Sequence, residues 1–275
     1  MTDVDQAHEA RPTTPIDAIA ETWVNTELDL FPEYRVYLGR AGHEGEYADY
    51  SPEGAERVIA EVKKTLASIH AATAVDAVDA VTKMDLSREL QLRVDKHDAG
   101  FDQRDLNVIA SAPQSLRDIF DLMPTDSEED WSHVATRMRN LPAAMEGYIQ
   151  TLRTGIAAGN VPAIRQIREV VVQATKQRAD TGFFYRLSEG AKAGNGDLPE
   201  SLRGDLAAAA RDSAGAYAAL SDFLENELAR HAPERDAVGR EIYALASRDF
   251  LGAVVDLDET YQWGIEELAR MTAEQ

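Results

Sequence analysis

The longest helical pattern in the chain is TDSEEDWSHVATRMRNLPAAMEGYIQTLRTGIAAG, residues 125–159. Its large apolar residues recur at steps of three and four, which places them on one face of an α-helix. They are Trp131, Val134, Met138, Leu141, Met145, Tyr148, Leu152 and Ile156. Thr125 with Glu128 has the spacing of a capping box, Pro142 predicts a kink or a short break, and Gly159 marks the end. The stretch therefore predicts one long helix with a single apolar face.

The same spacing recurs on both sides of this stretch. Ser51 suits the N-cap of a helix and Pro52 its first position. Helices are predicted over Thr14–Leu30, Ser51 to about Ile69, Asp76 to about Ala99, Val161–Arg178, Leu198–His231, Arg235–Phe250 and Asp258 to the end. No convincing segment alternates apolar and polar residues as a β-strand does. The sequence predicts an all-α fold, an array of roughly eight to ten long antiparallel helices with one glycine-rich loop.

Irregular segments suggest how the chain is organised. The glycine-rich loop runs over Phe31–Ser51. Residues 1–13 are expected to form a disordered tail, because they are polar and lack helical spacing. Residues 14–275 are then a single all-α domain. Residues 190–199 are the best candidate for a linker that would subdivide this domain, since glycines cluster there.

Composition narrows the classes of partner. The 49 acidic and 28 basic side chains give a formal net charge of −21, which repels nucleic acid and anionic lipid surfaces. We therefore expect no nucleic-acid partner and no membrane partner. The chain has no cysteine, which fits a reducing compartment. Residues 1–15 lack the basic and apolar regions of a signal peptide, and no apolar run is long enough to span a bilayer, so the expected location is cytoplasmic.

The sequence contains no complete catalytic motif. The six histidines are His8, His43, His70, His97, His133 and His231, and none lies four residues from another, as two zinc ligands on one helix do. Gly39, Gly42 and Gly45 are not followed by the Lys-Ser/Thr pair of a phosphate-binding loop, so we interpret this segment as an ordinary flexible loop. No Gly-x-Ser-x-Gly elbow occurs, and carboxylate pairs are uninformative among 49 acidic residues. We predict no catalytic residue and no metal ligand.

One helix is basic within this acidic chain, and aromatic residues follow it. Its cations could face a substrate carboxylate or an acidic partner, or they could be solvated and paired with neighbouring acids, which we favour. The aromatic pair could line a groove, although adjacent aromatics more often fill a core. The candidate cleft- or partner-facing residues are Arg165, Arg168, Lys176, Arg178, Phe184 and Tyr185.

Three groups of residues resemble one bacterial family in their order and spacing. The first is Phe31-Pro32-Glu33-Tyr34, Leu38-Gly39 and Tyr50-Ser51-Pro52-Glu53; the second is Leu141-Pro142, Tyr148, Leu152, Gly155, Gly159 and Pro162; the third is Gly239, Tyr243, Asp256-Leu257, Tyr261, Gly264 and Glu267-Leu268-Ala269-Arg270. Through them most of the chain resembles the front half of the domain-of-unknown-function family 885, helical proteins with a zinc-peptidase-like catalytic half.

The resemblance implies that the metal-binding His-Glu helix lies beyond Gln275, where the chain stops on an amphipathic helix. We expect a non-catalytic front half of a metal-dependent, peptidase-like hydrolase that walls part of a substrate cleft. Zinc is then expected only in the C-terminal half, with no cofactor in this chain, and the partner is that missing catalytic half. The alternative is a stand-alone interaction module that self-associates or binds a partner helix. A ligand-binding bundle is a third interpretation, although no sequence feature favours it.

Overall fold

The computed structural model describes residues 11–194 and 196–275, and within them the fold is all-α, as predicted. The α-helices are α1 (Pro15–Leu30), α2 (Glu33–Tyr37), α3 (Pro52–Ala71), α4 (Ala77–Asp98), α5 (Ala112–Asp118), α6 (Glu128–Ala158), α7 (Ile164–Arg178), α8 (Phe183–Glu189), α9 (Glu200–Asn226), α10 (Arg240–Leu251) and α11 (Leu257–Glu274). Two short strands, β1 (Lys192–Ala193) and β2 (Gly196–Asp197), pair antiparallel. The short helices α2, α5 and α8 were not predicted, because five to seven residues are too few to show a helical period.

Helix α6 is the predicted long helix, with two corrections. Its N-cap is Ser127 and not Thr125: the Ser127 hydroxyl accepts from the Asp130 N–H, and the Asp130 carboxylate accepts from the Ser127 N–H at 2.9 Å. The helix also continues through Pro142 without a break. A proline leaves the carbonyl four residues earlier without its helical donor, and here the Ser213 hydroxyl of α9 donates to the Met138 carbonyl at 2.8 Å.

Two apolar clusters form the interior. The main bundle packs α6 against α9 and α9 against α7, and α5 and α8 complete its core. The small lobe consists of α1, α3 and α4, which bury Ile16, Val62, Ile69 and Leu90 between them. Apolar side chains at helical spacing account for both clusters, because each helix turns its apolar stripe toward its neighbours.

The glycine-rich loop lies against α6. Arg137, which is fully buried, donates through Nε to the Glu44 carbonyl at 2.7 Å and through Nη2 to the His43 carbonyl at 3.3 Å. Asn140 donates to the Gly45 carbonyl at 2.8 Å. The loop predicted as ordinary and flexible is thus fixed by hydrogen bonds to one helix.

The candidate linker at residues 190–199 forms the β1–β2 hairpin. Its flanking residues Ala191 and Leu198 are buried in the core of the main bundle. The Trp131 indole N–H donates to the Lys192 carbonyl at 2.7 Å. The hairpin is therefore packed onto the same core as the helices on either side of it.

The ends of the chain differ in how they are held. Residues 1–10 of the predicted tail lie outside the described residues. Arg11 forms ion pairs with Asp17 and Asp76, both at 2.6 Å, and with Asp79. At the other end, α10 and α11 contain no buried residue. Polar contacts attach α10 to α4, including Arg248 to Asp95 at 2.8 Å.

Candidate functional site

A cleft of about 440 Å³ opens between the small lobe and the main bundle. Helices α3 and α4 form one wall, and α6 with residues 101–112 forms the other. Aromatic rings are prominent in its lining: Phe31, Tyr34, Tyr50, Phe101 and Tyr148. This volume falls within the range of small-molecule sites. We call this cavity the interlobe cleft.

The segment after α4 is held in the wall of the cleft by close contact with α6. Gly155 has no side chain, and a Cβ there would overlap the Gln103 carbonyl oxygen, so the glycine lets the segment approach the helix. The Tyr148 hydroxyl donates to the Asp105 backbone carbonyl at 2.5 Å. Asn160 donates to the Gly100 carbonyl at 2.7 Å. These contacts place the Asp105 side chain at the cleft.

The cations that line the cleft already have carboxylate partners. Arg93 contacts Glu27 at 2.6 Å, and Lys96 contacts Asp249 at 2.7 Å. His97 lies between two carboxylates, with Nδ1 at 2.9 Å from Asp102 and Nε2 at 3.4 Å from Glu56. Each basic side chain of the lining therefore already has a carboxylate partner within the chain.

Asp105 differs from the other carboxylates of the lining. Asp102 contacts His97 and Asp49 pairs with Arg57, but among the described residues no group donates a hydrogen bond to the Asp105 carboxylate. Asp105 is exposed to solvent and lines the cleft. Desolvation, followed by the charge of Asp102, raises the pKa of Asp105 to about 6, while Lys96 acts in the opposite direction.

The hydroxyl groups of the cleft do not form a nucleophile–base pair. The Ser111 hydroxyl lies 2.8 Å from Gln114 Oε1 and 2.9 Å from the Asn107 carbonyl, as part of the cap of α5. The Tyr148 hydroxyl is used by the Asp105 carbonyl. Within residues 11–194 and 196–275, no three His, Asp or Glu side chains are grouped so that they could hold a metal ion.

The predicted basic residues lie elsewhere, along α7. Arg165 pairs with Asp236 at 3.0 Å, and Arg178 pairs with Asp222 at 3.3 Å. Arg168 and Lys176 are exposed. Arg165 and Arg178 are thirteen positions apart, roughly 20 Å along a helix axis, so the four cations do not form one site.

The predicted aromatic residues belong to the core of the main bundle. Phe184 has no exposed surface and packs against Phe120, Phe183 and Tyr217, with ring centroids 5.2–5.7 Å apart. Tyr185 is half-buried against the same core. A partner cannot reach Phe184 in this arrangement.

A family model described as "Bacterial protein of unknown function (DUF885)" matches residues 32–275. The chain belongs to this family. The interlobe cleft lies within the DUF885 match, except for Phe31 at its edge. Of the residues in the resembling motifs, five line the cleft: Phe31, Tyr34, Tyr50, Ser51 and Tyr148.

Two solved structures share the fold. One is a candidate lipoprotein of unknown function from Shewanella oneidensis, with a TM-score of 0.71 and 14% identity over 95% of this chain and 47% of that one. The other is a candidate lipoprotein from Colwellia psychrerythraea, with a TM-score of 0.74 and 14% identity over 94% of this chain and 50% of that one. This DUF885 chain thus spans about half the length of the structures it matches. No curated protein matches it.

In the part of the chain that the structure describes, no helix is both long and apolar enough to cross a bilayer.

Sequence reasoning did not identify Asp105. It lies between α4 and α5 in a stretch without helical period, and a single aspartate among 49 acidic residues carries no spacing signal. His97 is one of the six histidines without metal-ligand spacing, so the sequence predicts no role for it. Its pairing with Asp102 depends on how the chain turns after α4, which the side-chain pattern does not specify.

Proposed function

We propose that this chain is the helical front half of a larger, metal-dependent, peptidase-like hydrolase. In this proposal it forms part of the wall of a substrate cleft and is not catalytic alone. The observation that carries the proposal is the apolar surface left uncovered on α10 and α11. The match to two similar structures covers 94–95% of this chain but only 47–50% of those structures.

The uncovered surface is most regular on α11. Tyr261, Ile265, Leu268 and Met271 follow one another at steps of three and four, and we call them the α11 stripe. Their exposure ranges from 48% to 71%. Tyr243 and Phe250 of α10 and Trp263 of α11 are also exposed. Monomeric proteins rarely leave such a contiguous apolar surface in water, and an amphipathic helix normally buries its stripe. The proposed occupant is the remainder of a longer chain, the missing catalytic half.

The metal and the chemistry belong to that remainder in this proposal. Zinc hydrolases need three protein ligands and an open coordination position, and the described residues offer no such group. The peptidase assignment rests on the family resemblance, an argument by analogy. Arg165 and Arg168 stay predicted substrate- or partner-facing residues, and alanine at both positions in the longer product should lower turnover if they contact substrate. A cytoplasmic location also stays a prediction.

Reading the gene past the codon for Gln275 tests the proposal directly. If the frame continues, the longer product and the 275-residue chain are purified side by side, and zinc content and hydrolysis of a peptide library are measured on both. We expect about one zinc per longer chain and hydrolysis by that product alone.

Two results would contradict the proposal. One is stoichiometric zinc or peptide hydrolysis in the 275-residue chain. The other is a stop codon directly after Gln275. In the second case the alternative, a helical interaction module, predicts a dimer that light scattering detects.

A further inference from the structure

We propose that the interlobe cleft binds a ligand with a primary ammonium group on an aromatic or apolar body, with the ammonium at Asp105. The inference does not depend on the proposed hydrolase, because the cleft and all its groups belong to this chain. It assigns a ligand-binding site to this chain itself.

The charge pattern of the cleft selects a cation over an anion. An anionic ligand would need Arg93, Lys96 or His97, and each of these already contacts a carboxylate at 2.6–3.4 Å. Asp105 is the lining carboxylate without a donor among the described residues. A carboxylate that lines a cleft without a hydrogen-bond donor gains most from a ligand that brings both positive charge and N–H donors.

The aromatic lining selects an organic cation over a metal ion. Calcium and magnesium need six or more oxygen ligands, several of them from carboxylates or carbonyls fixed around one point, and no metal-holding group occurs in the described residues. Five aromatic residues line the same cavity as Asp105: Phe31, Tyr34, Tyr50, Phe101 and Tyr148. Aromatic faces attract ammonium groups and pack against an apolar ligand body.

The charged groups around Asp105 define the expected pH dependence. Asp102 precedes it in the same segment, Lys96 and His97 face it from α4, and the Tyr148 hydroxyl approaches it from α6. Desolvation and the charge of Asp102 raise the pKa of Asp105 and favour the protonated carboxyl, and Lys96 opposes them. Ammonium binding needs the ionised carboxylate, so affinity should fall as the pH drops through about 6.

Calorimetric titration of the 275-residue chain with matched probes tests the inference. The first pair is 2-phenylethylamine and its neutral N-acetyl derivative, and the second is phenylalanyl-glycinamide with a free and with an acetylated amino end. The second pair distinguishes a peptide amino terminus from a free amine as the source of the ammonium. The variant is Asp105→Asn. The control is Asp212→Asn, which removes the same charge from an exposed position of α9 outside the cleft.

At neutral pH we expect at least one free amine to bind about tenfold or more tightly than its acetylated partner. Asp105→Asn should remove that difference, Asp212→Asn should keep it, and wild-type affinity should fall about tenfold at about pH 5. Equal binding of the free and acetylated probes to wild type would overturn the inference, as would no binding at about 10 mM. Both results come from wild type, so they stand even if Asp105→Asn does not fold.

Discussion

At the scale of single residues, Glu33 is a buried carboxylate at the start of the glycine-rich loop. Its oxygens accept from the Ala48 N–H at 3.1 Å and from the Tyr50 hydroxyl at 3.1 Å. Burial raises the pKa of Glu33, and those hydrogen bonds and the charge of Arg137 only partly offset this effect. The Glu33 side chain joins α2 to residues 48–50, the segment that leads to α3 beside the interlobe cleft.

The raised pKa has a defined consequence for stability. A carboxyl group with a higher pKa in the folded state holds its proton more tightly there than in the unfolded chain. Its contribution to stability is therefore greatest at pH values below the unfolded pKa and is lost as the pH rises through the folded pKa. Glu33→Gln keeps an acceptor oxygen but cannot ionise. As the pH rises from 4 to 7, the free energy of unfolding of Glu33→Gln should decline less than that of the wild-type protein. Urea unfolding at several pH values measures this difference.

Glu33→Ala and Glu169→Gln complete that experiment. Alanine leaves the Ala48 N–H and the Tyr50 hydroxyl without an acceptor and should cost about 1–3 kcal/mol at all these pH values. Glu169 is exposed on α7, so its amide variant should follow the wild-type curve. Parallel curves for Glu33→Gln and wild type would show that Glu33 does not titrate differently on folding.

At the scale of secondary-structure elements, α6 depends on α9 at its proline. The Met138 carbonyl lacks a helical donor because Pro142 has no N–H, and the buried Ser213 hydroxyl supplies one at 2.8 Å. A buried acceptor without a donor costs free energy. The continuity of the longest helix is thus linked to a serine that lies 75 positions away in sequence.

A double-mutant cycle tests this link. Ser213→Ala alone should lower the free energy of unfolding by about 1–3 kcal/mol, because the Met138 carbonyl loses its donor. In a Pro142→Ala background the restored N–H serves that carbonyl, so Ser213→Ala should cost at least about 0.5 kcal/mol less. Urea unfolding of the four proteins gives the coupling energy. An equal cost of Ser213→Ala in both backgrounds would contradict the proposed role.

Periodicity predicted the long helices because most of their stability comes from burying one apolar stripe, which repeats visibly in sequence. It predicted α1, α3, α4 and α7 to within a few residues. Of the kink or short break that it predicted at Pro142, the break does not occur, and Ser213, which supplies a donor to the Met138 carbonyl, belongs to another helix. Periodicity could not predict the interlobe cleft for the same reason. Asp105, His97 and Tyr148 belong to different segments of the chain, and only tertiary packing brings them together.

At the scale of the whole molecule, two packed lobes carry one weakly attached end. The small lobe and the main bundle bury their apolar residues, whereas α10 is held to α4 by ion pairs such as Lys96 with Asp249. Surface ion pairs contribute about 0–1 kcal/mol each. The α11 stripe is exposed, so it contributes little to the stability of this chain. We expect it to contribute to stability in a larger assembly that buries it.

Leu268→Glu separates these two contributions. Leu268 is 64% exposed, so in the 275-residue chain the glutamate should change the free energy of unfolding by less than about 0.5 kcal/mol. In the longer product the same charge would be buried against the second half, and a clearly lower melting temperature is expected. Gln262→Glu adds the same charge about 100° around α11 from Tyr261 and removes the hydrogen bond from Gln262 to Glu266, so it should cost the same few tenths of a kcal/mol in both proteins. If Leu268→Glu destabilises both proteins equally, the stripe packs within this chain. If it destabilises neither, a different surface receives the second half.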